Sequence, residues 1–398
     1  MKDGWDYKTL GEIAKDSADG PFGSNLKKEH YVSEKEVRII QLSNIGEEGW
    51  REDNKKYTSF EHLKAISRSE VCPGDIVIAK MMPAGRAILC PNIEKKYVLS
   101  SDAVKISLKQ GYNNKFVLYS INSSYFRRQV YSNVNGSGRV RTSLTKLRKC
   151  VLHIPDITTQ ESIVSYLDSS FKLIDEIKNK ALKSLTEAKA LFQSALAEAM
   201  EPKEGWEEKT LGDVGSFKRG GNFTKRDFIE DGFPCVHYGQ IHMKFGHVTK
   251  QHLSCVPKGL VKKDRCAKKG DLIIAITSED DEGSCKCTAW MANYEVYVGG
   301  HTAIYTHNLD PIFMAYYFQS PFFQKEKLEY THGFKVVEIN PKDIAKISIA
   351  YPPLPTQKQI VSRLDKLSSK VRAIEEKYQK MVDECDALKQ AMLRDVFE

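Results

Sequence analysis

The sequence predicts an α+β protein in which two globular α/β domains are separated by two long α-helices. The helices pair as an antiparallel coiled coil, and the whole chain is an internal pseudo-twofold repeat. Three observations predict this. Over residues 356–398, Leu364, Leu367, Val371, Ile374, Tyr378, Met381, Cys385, Leu388 and Met392 recur at alternating steps of three and four, the seven-residue period of a helix with one narrow seam. Moving back 197 positions lands on Leu167, Ser170, Ile174, Ile177, Ala181, Ser184, Ala188, Leu191 and Ala195, all apolar or small. The duplication also reaches into the globular parts, where WDYKTLGEIA (5–14) answers WEEKTLGDVG (206–215) and GDIVIAK (74–80) answers GDLIIAI (270–276).

In chain order this gives a first globular domain at 1–157, a helical spacer at 158–202, a second globular domain at 203–354 and a second spacer at 355–398. The runs VRIIQL (37–42), DIVIAK (75–80) and AVKISL (103–108) read as strands of the first domain, and residues 114–130 as one helix. CVHY (235–238), DLIIAI (271–276) and TAIYT (302–306) are the strands of the second. Thr158 with Glu161 and Thr356 with Gln359 fit helix-opening capping boxes. Ala181, Ser184 and Ala188 correspond to Tyr378, Met381 and Cys385, so small residues on one helix meet large ones on the other. The pairing residues are therefore Leu167, Ile174, Ala181, Leu191, Leu364, Val371, Tyr378 and Leu388.

Composition excludes several classes. With 398 residues, 41% hydrophobic and 28% charged, the chain is long enough for two to four buried cores. No stretch approaches the ~18 uninterrupted apolar residues of a membrane span, and MKDGWDYKTL lacks the apolar run of a signal peptide. Nine cysteines without a framework point to a reducing, cytoplasmic setting. Cys285-x-Cys287 has no second pair at zinc-ligand spacing, so no metal is expected. Catalytic motifs are missing as well. There is no phosphate-binding Gly-rich loop. YPPL (351–354) lacks the Asn or Asp of an amino-methyltransferase tetrad, and Asp75 with Glu94 and Lys96 imitates a nuclease set that the second half does not repeat. Glu279, Asp280, Asp281 and Glu282 read as a solvated loop.

The net charge of +8 is modest, but its distribution is uneven. Residues 103–155 hold no Asp or Glu, against Lys105, Lys109, Lys115, Arg127, Arg128, Arg139, Arg141, Lys146, Arg148 and Lys149. Such a stretch favours phosphate as a partner.

Two globular domains, each followed by a long helix entered through IPDITTQESIVSYLD (154–168) or YPPLPTQKQIVSRLD (351–365), resemble the specificity (S) subunit of type I restriction–modification systems. The resemblance covers essentially the whole chain. It implies two target recognition domains, each reading one half of a bipartite asymmetric DNA site. The helices would set the spacing and dock two methyltransferase subunits, with motor-nuclease (restriction) subunits added outside. It also implies a non-catalytic chain that binds no cofactor itself, S-adenosylmethionine, ATP and Mg belonging to the partners. By residue type and position, the DNA-binding candidates are Lys80, Arg86, Arg139 and Arg141 in the first domain and Lys218, Arg219, Lys286 and Lys335 in the second. Gln41, Asn44 and Gln240 are candidate adenine readers. The competing reading is a standalone DNA-binding regulator with two unequal heads.

Overall fold

The repeated motifs are turn and cap chemistry. In each GD pair the glycine takes a left-handed φ, +88° at Gly74 and +98° at Gly270, which a side chain would strain. The following aspartate folds back on the chain: Asp75 Oδ2 accepts from the Cys72 amide at 2.8 Å, and Asp271 Oδ2 from the Lys268 amide at 2.7 Å. Each turn then launches a fully buried strand, Ile76–Ala79 or Leu272–Ala275. The KTLG motifs are capping boxes, Thr9 with Glu12 and Thr210 with Asp213, opening one-turn helices whose leading Leu10 and Leu211 are buried.

The computed structural model describes residues 4–132, 140–333 and 336–398. It divides into two compact units, Met1–Leu182 with Lys380–Glu398, and Lys183–Gln379. In the first, an antiparallel sheet runs in the order Ala87–Leu89, Ile76–Ala79, Ala103–Leu108, Ala14–Asp19. A five-stranded sheet beside it contains one parallel pair, Tyr97–Leu99 with Val37–Ile40. The second unit has a five-stranded sheet, Gly215–Arg219, Thr302–His307, Leu272–Ala275, Cys287–Trp290, Val248–Thr249. Its four-stranded sheet again carries one parallel pair, Phe233–Val236 with Val296–Val298.

The helix expected over 114–130 is two helices, Asn114–Asn122 and Ser124–Ser132. Ser123 breaks it: fully buried, with extended φ/ψ of −70°/156°, its hydroxyl donates to the Ser120 carbonyl at 2.6 Å. A short polar side chain that satisfies backbone groups competes with helical bonding at that point.

The long helices are Ile157–Met200 and Leu354–Phe397. Asp156, rather than Thr158, caps the first, accepting from the Thr158 and Thr159 amides at 3.0 and 3.1 Å. Within the first unit they run antiparallel, since Lys178 pairs with Asp386 at 2.7 Å and Asp175 pairs with Lys389. Within the second, Arg363 meets Glu198 at 3.2 Å. Leu167, Ile174, Ala181, Leu364 and Val371 are buried and Tyr378 is half-buried.

Leu191 and Leu388 are not seam residues, being 58% and 50% exposed. Nor are Ile177 and Ile374, at 48% and 40%. The second row of the seam lies one residue later, at Phe171, Lys178, Leu185 and Phe192 and at Ser368, Glu375, Val382 and Lys389, each buried or half-buried. A lysine takes such a position in place of the neighbouring isoleucine or leucine because its methylene stem buries well while the ammonium finds a carboxylate. The side chains of Lys178 and Lys389 are each only 14% exposed, and Lys389 lies over the Phe171 ring.

The ends of the helices pack into the globular cores. Leu393 and Phe397 belong to the first unit's core, where Phe397 meets Phe116 edge-on at 5.3 Å. Leu196, Ala199 and Met200 occupy the matching place in the second core. Each core is thus built from a globular domain, the start of the helix that follows it and the end of the other long helix.

At the start of each long helix a buried glutamine joins it to the domain. Gln160 accepts from the Asn113 amide at 2.9 Å and donates to the Pro155 carbonyl at 2.8 Å. Gln357 does the same with Asp310 and Pro352 at the same distances. Both are 1% exposed. Gln160→Ala or Gln357→Ala should each cost about 1–3 kcal/mol, because two buried backbone groups lose their partner. Denaturant titration of each variant measures this, and a cost below about 0.5 kcal/mol would deny the glutamine its joining role.

Candidate nucleic-acid interface

The residues singled out in the sequence divide into those spent inside the fold and those facing outward. Lys80 is nearly buried, with Nζ 2.9 Å from Asp19 Oδ1. Arg141 is exposed and pairs with Asp102 at 2.9 Å. Asn44 is fully buried and internally saturated, its Oδ1 accepting from the Gln41 amide and its Nδ2 donating to the Arg51 and Asp53 carbonyls. Gln240 repeats this arrangement 196 residues on, accepting from the His237 amide at 3.0 Å and donating to Ser254 Oγ at 2.8 Å. These two amides hold turns, and the signal was the offset itself, which pairs them as equivalents.

Arg86 sits where the first unit is polar but unfinished. Its Nη2 donates to the Leu42 carbonyl at 3.1 Å, while burial lowers its pKa from the ordinary arginine value. Arg86 Nε, Arg127 Nε and the Oε1 of half-buried Gln41 are buried without hydrogen-bond partners. Arg127 pairs with Glu47 at 2.6 Å, and the charges of Glu47, Arg51 and Arg127 all act on Arg86. Arg51 and Glu47 are members that sequence reading missed, scattered through the chain with no spacing to betray them, whereas Arg127 belongs to the acid-free stretch.

The ion pairs also change the meaning of the acid-free stretch. Lys105 pairs with Asp16, Lys115 with Asp168, Arg127 with Glu47, Arg128 with Glu398 and Arg141 with Asp102. At least five of the stretch's cations, counted among the described residues, therefore have a carboxylate partner within the unit. Arg139 and Lys335 lie outside the described residues.

In the second unit Lys218 and Arg219 are exposed at the end of the strand Gly215–Arg219, where Arg219 pairs with Glu338. Lys286 faces a cleft of about 1360 Å³, and its Nζ donates to the His242 carbonyl at 2.7 Å. The cleft is lined by Lys225, Tyr238, His242 and His301 on the domain side and by Lys189, Arg372 and Glu375 on the helices. Tyr238 stands 5.2 Å from His301 and 6.1 Å from His242, ring to ring. Cationic, aromatic and imidazole groups along one groove can meet phosphates, stack, and donate to base edges. Glu279, Asp280 and Glu282 lie on the same groove. Beneath them, fully buried Lys327 donates to the Ser284 carbonyl at 2.7 Å.

The nuclease-like set is dispersed. Asp75 closes its turn, Glu94 accepts from Tyr57 and Lys96 pairs with Glu70. Among the described residues no group of three or more His, Cys, Asp or Glu side chains could hold a metal ion. Also among them, no helix is long and apolar enough to cross a membrane.

Where a domain meets its long helix, the two units differ in a titratable group. Asp168 in the first unit is held by Lys115 at 2.6 Å and by the Tyr119 hydroxyl. Asp365 in the second accepts from Tyr316 at 2.7 Å and lies 3.5 Å from His247, which stacks on Tyr316. Burial, then the Arg372 charge, holds the His247 pKa below the ordinary value. Burial also pushes His307 down to about 4. Both rings are thus neutral in the fold, and their contribution is complete above the ordinary histidine pKa of about 6.5. It is lost as the pH falls below that value, for His307 down to about 4, which accounts for about 3 kcal/mol. Denaturation followed at pH 7.5 and 4.5 should show the loss, and His307→Leu, matching Leu108 of the first unit, should remove most of it. A variant as acid-sensitive as the native chain would exclude His307 as the cause.

The chain matches the family described as type I restriction modification DNA specificity domain twice, over residues 2–187 and 203–382. It is 24% identical over 296 residues to the type I restriction enzyme MjaVIII specificity subunit of Methanocaldococcus jannaschii, covering 69% of this chain and 68% of that one. It is also 24% identical over 196 residues to the StySPI specificity subunit of Salmonella potsdam, spanning 48% of this chain and 42% of that one. Among solved structures, a chain from a study of type I R-M complex assembly and conformational transition superposes with a TM-score of 0.74 at 20% identity, covering 99% of this chain and 97% of its own. The HsdS subunit from Thermoanaerobacter tengcongensis gives 0.50 at 19% identity, covering 99% and 96%.

Proposed function

The chain belongs to the type I restriction–modification DNA specificity family, and from that premise we propose that each unit reads one half of a bipartite, asymmetric double-stranded DNA site. One observation carries this reading. The scaffold is kept twice in hydrogen-bonding detail, through the glutamine joints, the Gly–Asp turns and the Thr caps, while the exposed groups differ. The first unit offers an arginine cluster around Glu47, and the second a groove of Lys225, Tyr238, His242, Lys286 and His301. Retained framework with divergent contact groups is what two readers of different sequences require. In this reading the chain is a non-catalytic subunit. Two methyltransferase subunits and the motor-nuclease subunits supply the chemistry, and S-adenosylmethionine, ATP and Mg belong to them.

Docking of those partners on the long helices is supported by an unpaired apolar row. Tyr166, Leu173 and Ile177 are 57%, 61% and 48% exposed along one face of the first helix. The corresponding positions of the second helix are Arg363, Lys370 and Ile374.

Exchange of residues 1–157 for the equivalent part of another specificity subunit should change one half-site and leave the other intact, as methylome sequencing would read. Alteration of both half-sites by a folded hybrid would exclude two independent readers. Leu173→Glu with Ile177→Lys should leave thermal unfolding nearly unchanged but strongly reduce co-purification of methyltransferase subunits. Unchanged co-purification would remove this row from the docking surface.

A further inference from the structure

The long helices share a seam but carry opposite charges at one set of its polar positions. In the first unit Lys178 is the centre of a closed triad, its Nζ 2.5 Å from Glu48 Oε1 and 2.7 Å from Asp386 Oδ1. The repeat carries Glu48 onto Lys244, Lys178 onto Glu375 and Asp386 onto Lys189, so every sign is inverted. Lys189 and Glu375 both line the groove of the second unit, and neither they nor Lys244 have an ion pair among the described residues.

The inversion matters because apolar burial does not choose between partners. Leu196, Ala199 and Met200 at the end of the first helix match Leu393, Val396 and Phe397 at the end of the second in spacing and polarity. On that ground either helix end could close either core, including the core of a second molecule. Charge separates the cases. The observed register sets Lys178 against Asp386 and Asp175 against Lys389, and the repeat turns the first of these into Lys189 against Glu375. In the same register, the first helix against its own copy would set Lys178 against Lys189. The second helix against its own copy would set Glu375 against Asp386 and Arg372 against Lys389. Each clash would occur twice by symmetry.

We infer that these inverted charges are a pairing code by which each long helix accepts the other helix of its own chain and rejects a second copy of itself. Charged positions flanking a helix seam set partner choice in this way, more by penalising the wrong pair than by stabilising the right one. The code ensures that two unlike units are combined in one chain, and it holds whichever sequences those units read.

Lys189→Glu with Glu375→Lys tests it in the full-length chain. The double variant keeps opposite charges within the chain but turns the clashes at 178/189 and 375/386 of a second copy into attractions. Native and variant chains would be unfolded, refolded over a range of concentrations and compared by sedimentation velocity, with circular dichroism reporting folding. The native chain should refold as monomer, and the variant should give about tenfold more dimer at equal concentration, the two relieved facings, each present twice, being together worth roughly one decade. Adding Glu48→Lys, Lys178→Glu and Asp386→Lys restores like-charge facings between copies and should return the chain to monomer. A folded double variant with no more dimer than the native chain, or a dimeric native chain, would overturn the code. If the five-fold variant misfolds, Lys178→Glu with Asp386→Lys tests the first unit's pair separately, with dimer expected and monomer counting against the inference.

Discussion

One buried amide in each unit fixes where the globular part ends and the long helix begins. Gln160 and Gln357 each span a backbone amide at the start of a domain helix and a carbonyl on the chain entering the long helix. A side chain with both a donor and an acceptor is required, because a hydrophobe would leave two buried backbone groups unpaired. A second tie lies two turns along, where Tyr119 and Tyr316 donate to Asp168 and Asp365. Together they fix the azimuth of each helix, which decides the side chains that enter the seam. The apolar row and the ion pairs follow from that azimuth.

The repeat made these joints legible. Gln160/Gln357, Asp168/Asp365, the KTLG caps and the GD turns could be placed from sequence because each is a local device with a fixed spacing. The strand positions were legible for the same reason, as runs of β-branched residues after a turn. What stayed hidden depends on three-dimensional neighbours. The second seam row was placed one residue early because Lys178 and Lys389 look like surface residues until their carboxylate partners are known. Ser123 looked like a weak member of a helical face and is instead the point where that helix breaks.

Charge was the least legible property along the chain. The stretch 103–155 contains no carboxylate, yet Asp16, Glu47, Asp102, Asp168 and Glu398 come to it from both sides of the sequence and from the end of the second long helix. A one-dimensional charge run predicts an electrostatic face only when the fold brings no counter-charges. Lys225 and Lys286, on the groove of the second unit, are among the cations that have no carboxylate partner among the described residues. That suits a subunit whose modest net charge of +8 limits non-specific attraction to DNA and leaves discrimination to placed groups.

The two halves therefore answer to different constraints. Joints, caps and turns are the same in both because both solve one packing problem, the closing of a core with the end of another helix. The groove wall carries its own set, Tyr238, His242 and His301, of which Tyr238 also packs on a core cluster of the second unit. The seam lies between these extremes. Its apolar rows must match for the helices to pack at all, whereas its polar positions are free in sign provided that opposites meet within the chain. Where a duplicated fold has that freedom, inverting the signs between halves is the cheapest way to make two nearly identical helices into non-identical partners. The arrangement Glu48–Lys178–Asp386 against Lys244–Glu375–Lys189 uses it at every position of the set.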